Sequence, residues 1–92
     1  MIITISKSVV YQNIEDEKVV LNLETNKYHS LNHYGLIIWD LIDKNQPVAL
    51  GNLIDLIEVN YTIENNLKNS IREYIDELHS HGLVIVEDEE KT

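Results

Sequence analysis

Ninety-two residues allow one domain with one core, and 43% hydrophobic with 25% charged residues is ordinary globular composition, which excludes disordered and fibrous classes. Sixteen Asp and Glu against seven Lys and Arg give a formal charge of −9, the wrong sign for neutralising phosphates, so no nucleic-acid partner is expected. The lack of Cys excludes disulfides, thiolate metal sites and Cys nucleophiles together, and no apolar run reaches the ~20 residues that span a bilayer.

The N-terminal third reads as strands. "ITIS" and "VVYQNI" are β-branched and aromatic runs, "KVVLNLE" places Val19, Leu21 and Leu23 at period two, and "KYHSL" follows. Together they predict a meander of antiparallel hairpins. Acidic Glu15 to Glu17 marks one turn, and "ETNK" marks the next, because Asn tolerates positive φ. Beyond Leu31 the period becomes helical, with Tyr34, Ile37, Ile38, Leu41 and Ile42 on one stripe. Asn32 is the expected N-cap, and Leu31 with Leu36 a hydrophobic staple.

A second helix is expected after "KNQP", with Leu50, Leu53, Ile54 and Ile57 along one face and Gly51 as an unfavourable interior residue. The third helix starts after Thr62, carries Ile63, Leu67, Ile71, Tyr74, Ile75 and Leu78, and is stopped by Gly82. "LVIVE" reads as a short final strand or extended segment. The expected class is α+β, a winged helix-turn-helix-like domain in which a three-stranded antiparallel meander precedes three helices. No internal repeat divides it. The expected organisation is a domain over 1–86 and an acidic flexible tail over 87–92, in a cytoplasmic protein without a signal segment or membrane partner.

Chemistry-bearing residues do not assemble into a catalytic pattern. His29 and His33 approach each other where strand meets helix, and His79 and His81 flank the end of the third helix, but zinc needs three or four ligands at a recognisable spacing. They read as surface or cap histidines, and neither a metal nor another cofactor is expected. The serines sit in no G-x-S-x-G context, and no P-loop or dinucleotide fingerprint occurs. The third helix sets Lys68 and Arg72 against Glu64, Glu73, Asp76 and Glu77, which argues against a recognition helix in a DNA groove. What remains is an opportunity for binding. The last strand of the meander, "KYHSL", leaves one edge open for an extended peptide, and Leu67, Ile71 and Tyr74 of the third helix are candidate lining.

The run "VVLNLETNKYHSLNHYGLIIWDLID", Val19 to Asp43, followed by "IREYIDELHSHGLV", Ile71 to Val84, resembles the PqqD-like family. That family shares an apolar strand, a tight turn, an aromatic strand ending in Leu-Asn, then Gly and an aliphatic-Trp helix, and a closing helix with a Gly-Leu exit. It provides the recognition element of ribosomally synthesised, modified peptides, a winged-helix-like domain without catalytic residues. The resemblance implies that a precursor leader peptide adds as a strand beside Lys27, Tyr28, His29, Ser30 and Leu31 and lies against Leu67, Ser70, Ile71, Tyr74 and Ile75. The implied partners are that leader and a leader peptidase, a transglutaminase-like cysteine protease, or another modifying enzyme. The discrete proteins of lasso-peptide clusters look closer than PqqD proper, because "LNLETNKYHSLN" lacks a "PER"-like segment. A PqqD-type peptide chaperone of pyrroloquinoline quinone synthesis and a winged-helix DNA-binding regulator are the alternatives.

Overall fold

The computed structural model describes residues 1–60 and 65–88, with 65–67 described by their backbone alone. Its elements are β1 (Ile2–Ile5), β2 (Val9–Ile14), β3 (Glu17–Asn22), β4 (Lys27–Leu31), α1 (Tyr34–Asn45), β5 (Val48–Ala49), α2 (Leu50–Asn60), α3 (Asn65–Ser80) and β6 (Val84–Glu87). The expected α+β class and three helices are present. Ile63 and the start signal at Thr62 lie outside the described residues, as do residues 89–92 of the expected tail.

β2, β3 and β4 form the antiparallel meander in that order. Its two turns use non-glycine residues at positive φ, Glu15 at 57° and Asn26 at 60°. The second turn is built by local hydrogen bonding. Asn26 N–H donates to the Asn22 carbonyl at 2.8 Å, and the Asn22 side-chain oxygen accepts from Glu24 N–H at 2.9 Å. An Asn at each end gives this turn what a Gly would otherwise supply.

"ITIS" does not join that meander. β1 is the centre of a second antiparallel sheet, ordered β5-β1-β6, in which Ile2 to Ile5 pair with Glu87 to Val84. A strand apolar at alternate positions satisfies either sheet equally well, and its partners are chosen by tertiary packing. Glu87, the first residue of the expected tail, therefore sits in β6 opposite Ile2.

One core holds the two sheets and the helices together. Trp39 and Ile42 of α1, Leu53 of α2, Ile75 of α3, Ile3, Val20 and Leu83 are wholly buried. In β3 the period-two residues Val19 and Leu21 face outward and the buried alternates are Lys18, Val20 and Asn22, while the stripe of α3 supplies Ile71, Ile75 and Leu78. Gly51 is accommodated within α2 with no neighbour close to its missing side chain. The meander is keyed to α1 by polar contacts as well. Lys18, buried on β3, pairs with Asp40, and the Tyr11 hydroxyl donates to Asp43 at 2.9 Å while its ring meets Trp39 edge-on at 5.3 Å.

The end of α3 follows the glycine signal. Gly82 takes φ 73°, Gly82 N–H donates to the His79 carbonyl and Leu83 N–H to the Leu78 carbonyl, each at 3.0 Å. That pair of bonds is a Schellman closure, and buried Leu83 and Leu78 are its apolar partners. The buried Asn22 side chain also donates to the His81 carbonyl at 2.8 Å, so the last turn of the meander is tied to the end of the helix.

The start of α1 departs from expectation. His33, not Asn32, is the N-cap, at φ 51° and ψ −123°, with no side-chain cap hydrogen bond. The Asn32 carbonyl instead accepts from Gly35 N–H at 3.0 Å. With His33 at the cap, the staple positions become Asn32 and Ile37, so the Leu31–Leu36 staple does not form; Leu31 is a core residue instead. This backbone is one that a non-glycine residue adopts at a cost of roughly 1–3 kcal/mol.

Candidate functional site

β4 pairs along one edge with β3, from Lys18 with Leu31 to Asn22 with Lys27. Among the described residues no strand pairs with its other edge. Backbone N–H and C=O groups on that edge are therefore available to an extended chain. α3 faces this strand across a groove of about 320 Å³, lined by Tyr28, His29, Ser30, Leu31, Tyr74, Glu77, Leu78, His81 and Leu83.

Alternation along β4 decides what each side chain does. His29 and Leu31 lie on the inner face opposite Val20 and Lys18, whereas Tyr28 and Ser30 lie on the outer face opposite Leu21 and Val19. Leu31 is buried, His29 is half-buried, and Lys27, Tyr28 and Ser30 are exposed. The Ser30 hydroxyl donates to Glu17 Oε2 at 2.8 Å, away from the groove floor.

Tyr74 links this groove to a second, more apolar hollow. The second hollow, of about 290 Å³, lies between the start of α1 and α3, lined by Asn32, His33, Tyr34, Gly35, Ile37, Ile38, Ile57, Ser70, Ile71 and Tyr74. Tyr74 belongs to both walls, and burial followed by the Glu77 carboxylate pushes its phenol up to about 12. Its hydroxyl sits where a side chain on Gly35 would begin. Gly35 is thus a glycine demanded by close approach, not by backbone angles.

The sequence-predicted site residues separate into groups. Lys27 to Leu31 form the open strand as expected, and Ser70, Ile71 and Tyr74 line the second hollow. Ile75 is wholly buried and lines neither hollow, because its place on the α3 stripe points to the core centre. Leu67 lies on α3, but its side chain is outside the described residues. The histidines also regroup: His29 meets His81 with ring centroids 4.7 Å apart, instead of meeting His33. Burial holds His29 below its usual 6.5, and the charges of His81 and Lys27 add to that. Among the described residues no three His, Asp or Glu are placed to hold a metal ion, and no helix is long and apolar enough to cross a membrane.

Sequence reasoning missed Glu77, Leu78, His81 and Leu83, which join β4 only through the register of α3. Gly35 carried a signal, since a glycine in the first turn of a helix implies a close neighbour. The outer face of the meander was missed too. Val10, Leu21 and Tyr28 form one cross-strand row, with Val10 51% and Tyr28 71% exposed, and Val19 lies beside them.

A strand with a free edge, set opposite a helix and flanked by an apolar hollow, defines a small domain of α+β class. A family model described as "Coenzyme PQQ synthesis protein D (PqqD)" matches residues 17–84, which takes in β3 and β4 of the meander, all three helices and the first residue of β6. The chain belongs to the PqqD family. No curated protein matches it. Among solved structures it is similar to TbiB1 in complex with the TbiA(beta) leader peptide, at 26% identity and a TM-score of 0.80, over 94% of this chain and 99% of that one. It also shares its fold with lasso peptide synthetase B1 complexed with the leader peptide, at 15% identity and a TM-score of 0.73, over 91% and 98% of the two chains.

Proposed function

We propose that this protein is a non-catalytic binder of the leader region of a ribosomally synthesised precursor peptide, of the lasso class, which it delivers to a leader peptidase or other modifying enzyme. The observation that carries the reading is the unpaired edge of β4 facing α3 across a groove. An extended leader adds antiparallel or parallel to that edge through main-chain hydrogen bonds, and its side chains are selected by the groove and the adjoining hollow. The hollow beside Tyr74 and Ile71 suits a bulky apolar residue, with Asn32, His33 and Ser70 at its rim. The similarity to TbiB1, solved in complex with a leader peptide, supports a leader peptide as the occupant.

The protein supplies affinity and placement, and the chemistry belongs to the enzyme that receives the peptide. Val10 and Leu21 on the outer face of the meander line neither the groove nor the adjoining hollow, which supports delivery, because they stay available as apolar surface for an enzyme when a peptide occupies the β4 edge. A fluorescein-labelled leader peptide from the precursor encoded beside this gene should bind saturably, with no change in peptide mass. Folded protein that shows no binding up to high micromolar peptide overturns the reading.

A second reading is favoured by the family model itself, whose description is of coenzyme PQQ synthesis. Under it the bound peptide is the precursor of pyrroloquinoline quinone, and the same strand edge is used. Competition between the two kinds of leader for one labelled complex separates the readings.

A further inference from the structure

His29 and His81 meet across the groove, one from each wall, with their rings 4.7 Å apart and tilted by 40°. The strand that offers the open edge and the helix that faces it are thus joined by two bases. An aliphatic pair would close the same gap without responding to pH, so the choice of imidazoles has a consequence near neutrality.

Burial, His81 and Lys27 oppose the charging of His29, whereas the Glu77 carboxylate lines the same groove. Lys27 comes from its own strand, Tyr74 and Glu77 from α3, His81 from the turn after α3, and β3 presents Val20 opposite, with Lys18 and Asn22 beside it on the same face. Glu77 Oε1 lies 4.0 Å from Nε2 of His81, on the wall opposite His29. A proton on His29 is opposed first by burial and then by His81, whose ring it meets, and by Lys27.

We propose that the His29–His81 contact is a proton-sensitive latch: it holds β4 against α3 while His29 is neutral, and acidification opens it and releases a peptide bound at the β4 edge. The latch rests on the peptide-binding reading above. A strand added to β4 removes water from His29, so the ring is harder to charge in the bound state than in the free one, where burial already keeps it below 6.5. A group with a lowered pKa contributes fully above 6.5 and loses its contribution as pH falls through the lowered value. The bound form therefore carries fewer protons, and affinity is highest at neutral pH.

The test titrates the labelled leader peptide at about pH 7.5 and about pH 5.5, with affinity expected to fall about three- to tenfold over that interval. In His81→Gln the slope of affinity against pH flattens, and the slope, not the neutral-pH affinity, is the readout. Independently of any variant, ring-proton NMR of the native protein should show His29 titrating below 6.5 and moving lower still when peptide is added. Binding that is flat with pH, or a His29 titration unmoved by peptide, overturns the latch and leaves the peptide-binding reading standing. Absence of binding at both pH values overturns both.

Discussion

The Tyr74 hydroxyl occupies the space in which a Gly35 side chain would begin, so the width of the hollow between α1 and α3 is set by that pair. The atom in the way is the end of a side chain, and Tyr74 is able to swing. Gly35→Ala should therefore cost little stability, about 1 kcal/mol, but displace Tyr74 and weaken leader binding by about tenfold. Denaturation midpoints and peptide affinity measured on the same preparation check the difference. Leader affinity unchanged in folded Gly35→Ala would mean that Gly35 serves the core alone.

Asn22 ties the turn before β4 to the end of α3, through its amide on the His81 carbonyl and its oxygen on Glu24 N–H. Both bonds are lost in Asn22→Ala, which leaves the His81 carbonyl and Glu24 N–H without that partner and should cost about 1 kcal/mol. Gly82→Ala strikes the same joint from the other side, since its φ is 73° and a Cβ would approach the Asn22 amide nitrogen to 2.8 Å. Urea unfolding of the two single variants and the double variant should show less than additive losses, because they damage one contact.

Local patterns made much of this molecule readable. A β-branched and aromatic run placed β2, period two placed β3 with β4 following its turn, period 3.6 placed the three helices, and Gly82 marked the end of α3, because each of these depends on the residues within a few positions. β1 was legible as a strand but not as the centre of another sheet, since its partners at 48–49 and 84–87 are chosen by packing. For the site, the open strand was legible and its opposite wall was not. Which α3 residues turn toward β4 depends on helix rotation, so Ile75 fell in the core while Glu77 and His81 reached the groove. The His33 cap was unreadable because its positive φ is a response to the strand-to-helix bend and no residue-type signal predicts it.

Lys18 is buried to 7% of its side-chain surface, whereas its partner Asp40 keeps 43% exposed. The two ends of this pair should therefore respond differently. Asp40→Asn leaves an ammonium in the interior with no carboxylate and is expected to lose about 1–3 kcal/mol, less than for a pair buried at both ends. Lys18→Met removes the charge and keeps the stem that packs beside Tyr11, and should change stability by less than about 1 kcal/mol. Thermal unfolding of both variants at one ionic strength decides it; equal losses would show that the lost ion pair, not the stranded ammonium, sets the cost.

Tyr74 gives an alkaline limb to stability. Its phenol is raised from 10.0 to about 12, first by burial and then by Glu77, so the folded protein keeps the proton longer than the unfolded chain does. The stabilisation is fully present below pH 10 and is lost as pH rises through about 12. Ultraviolet titration of phenolate absorbance should show one tyrosine ionising late, and Tyr74→Phe should remove that late step together with part of the alkaline loss. A late step that persists in Tyr74→Phe would assign it elsewhere, with Tyr11, also raised by burial and by Asp43, as the other candidate.

Under the proposed function, binding and delivery use different faces of the meander and should be separable by mutation. Val10 and Leu21 lie in the outer row of the meander, while His29 projects into the groove. Val10→Asp lies on an exposed position of β2, distant from the β4 edge, and should leave leader affinity within about twofold while it reduces leader cleavage by the partner peptidase by about tenfold or more. Tyr74→Ala should do the reverse, weakening leader binding by about tenfold with a cleavage defect that excess protein overcomes. The paired assay is peptide titration beside peptidase turnover at saturating and subsaturating protein. If Val10→Asp weakens leader binding as strongly as cleavage, the outer face belongs to the peptide and the enzyme docks elsewhere.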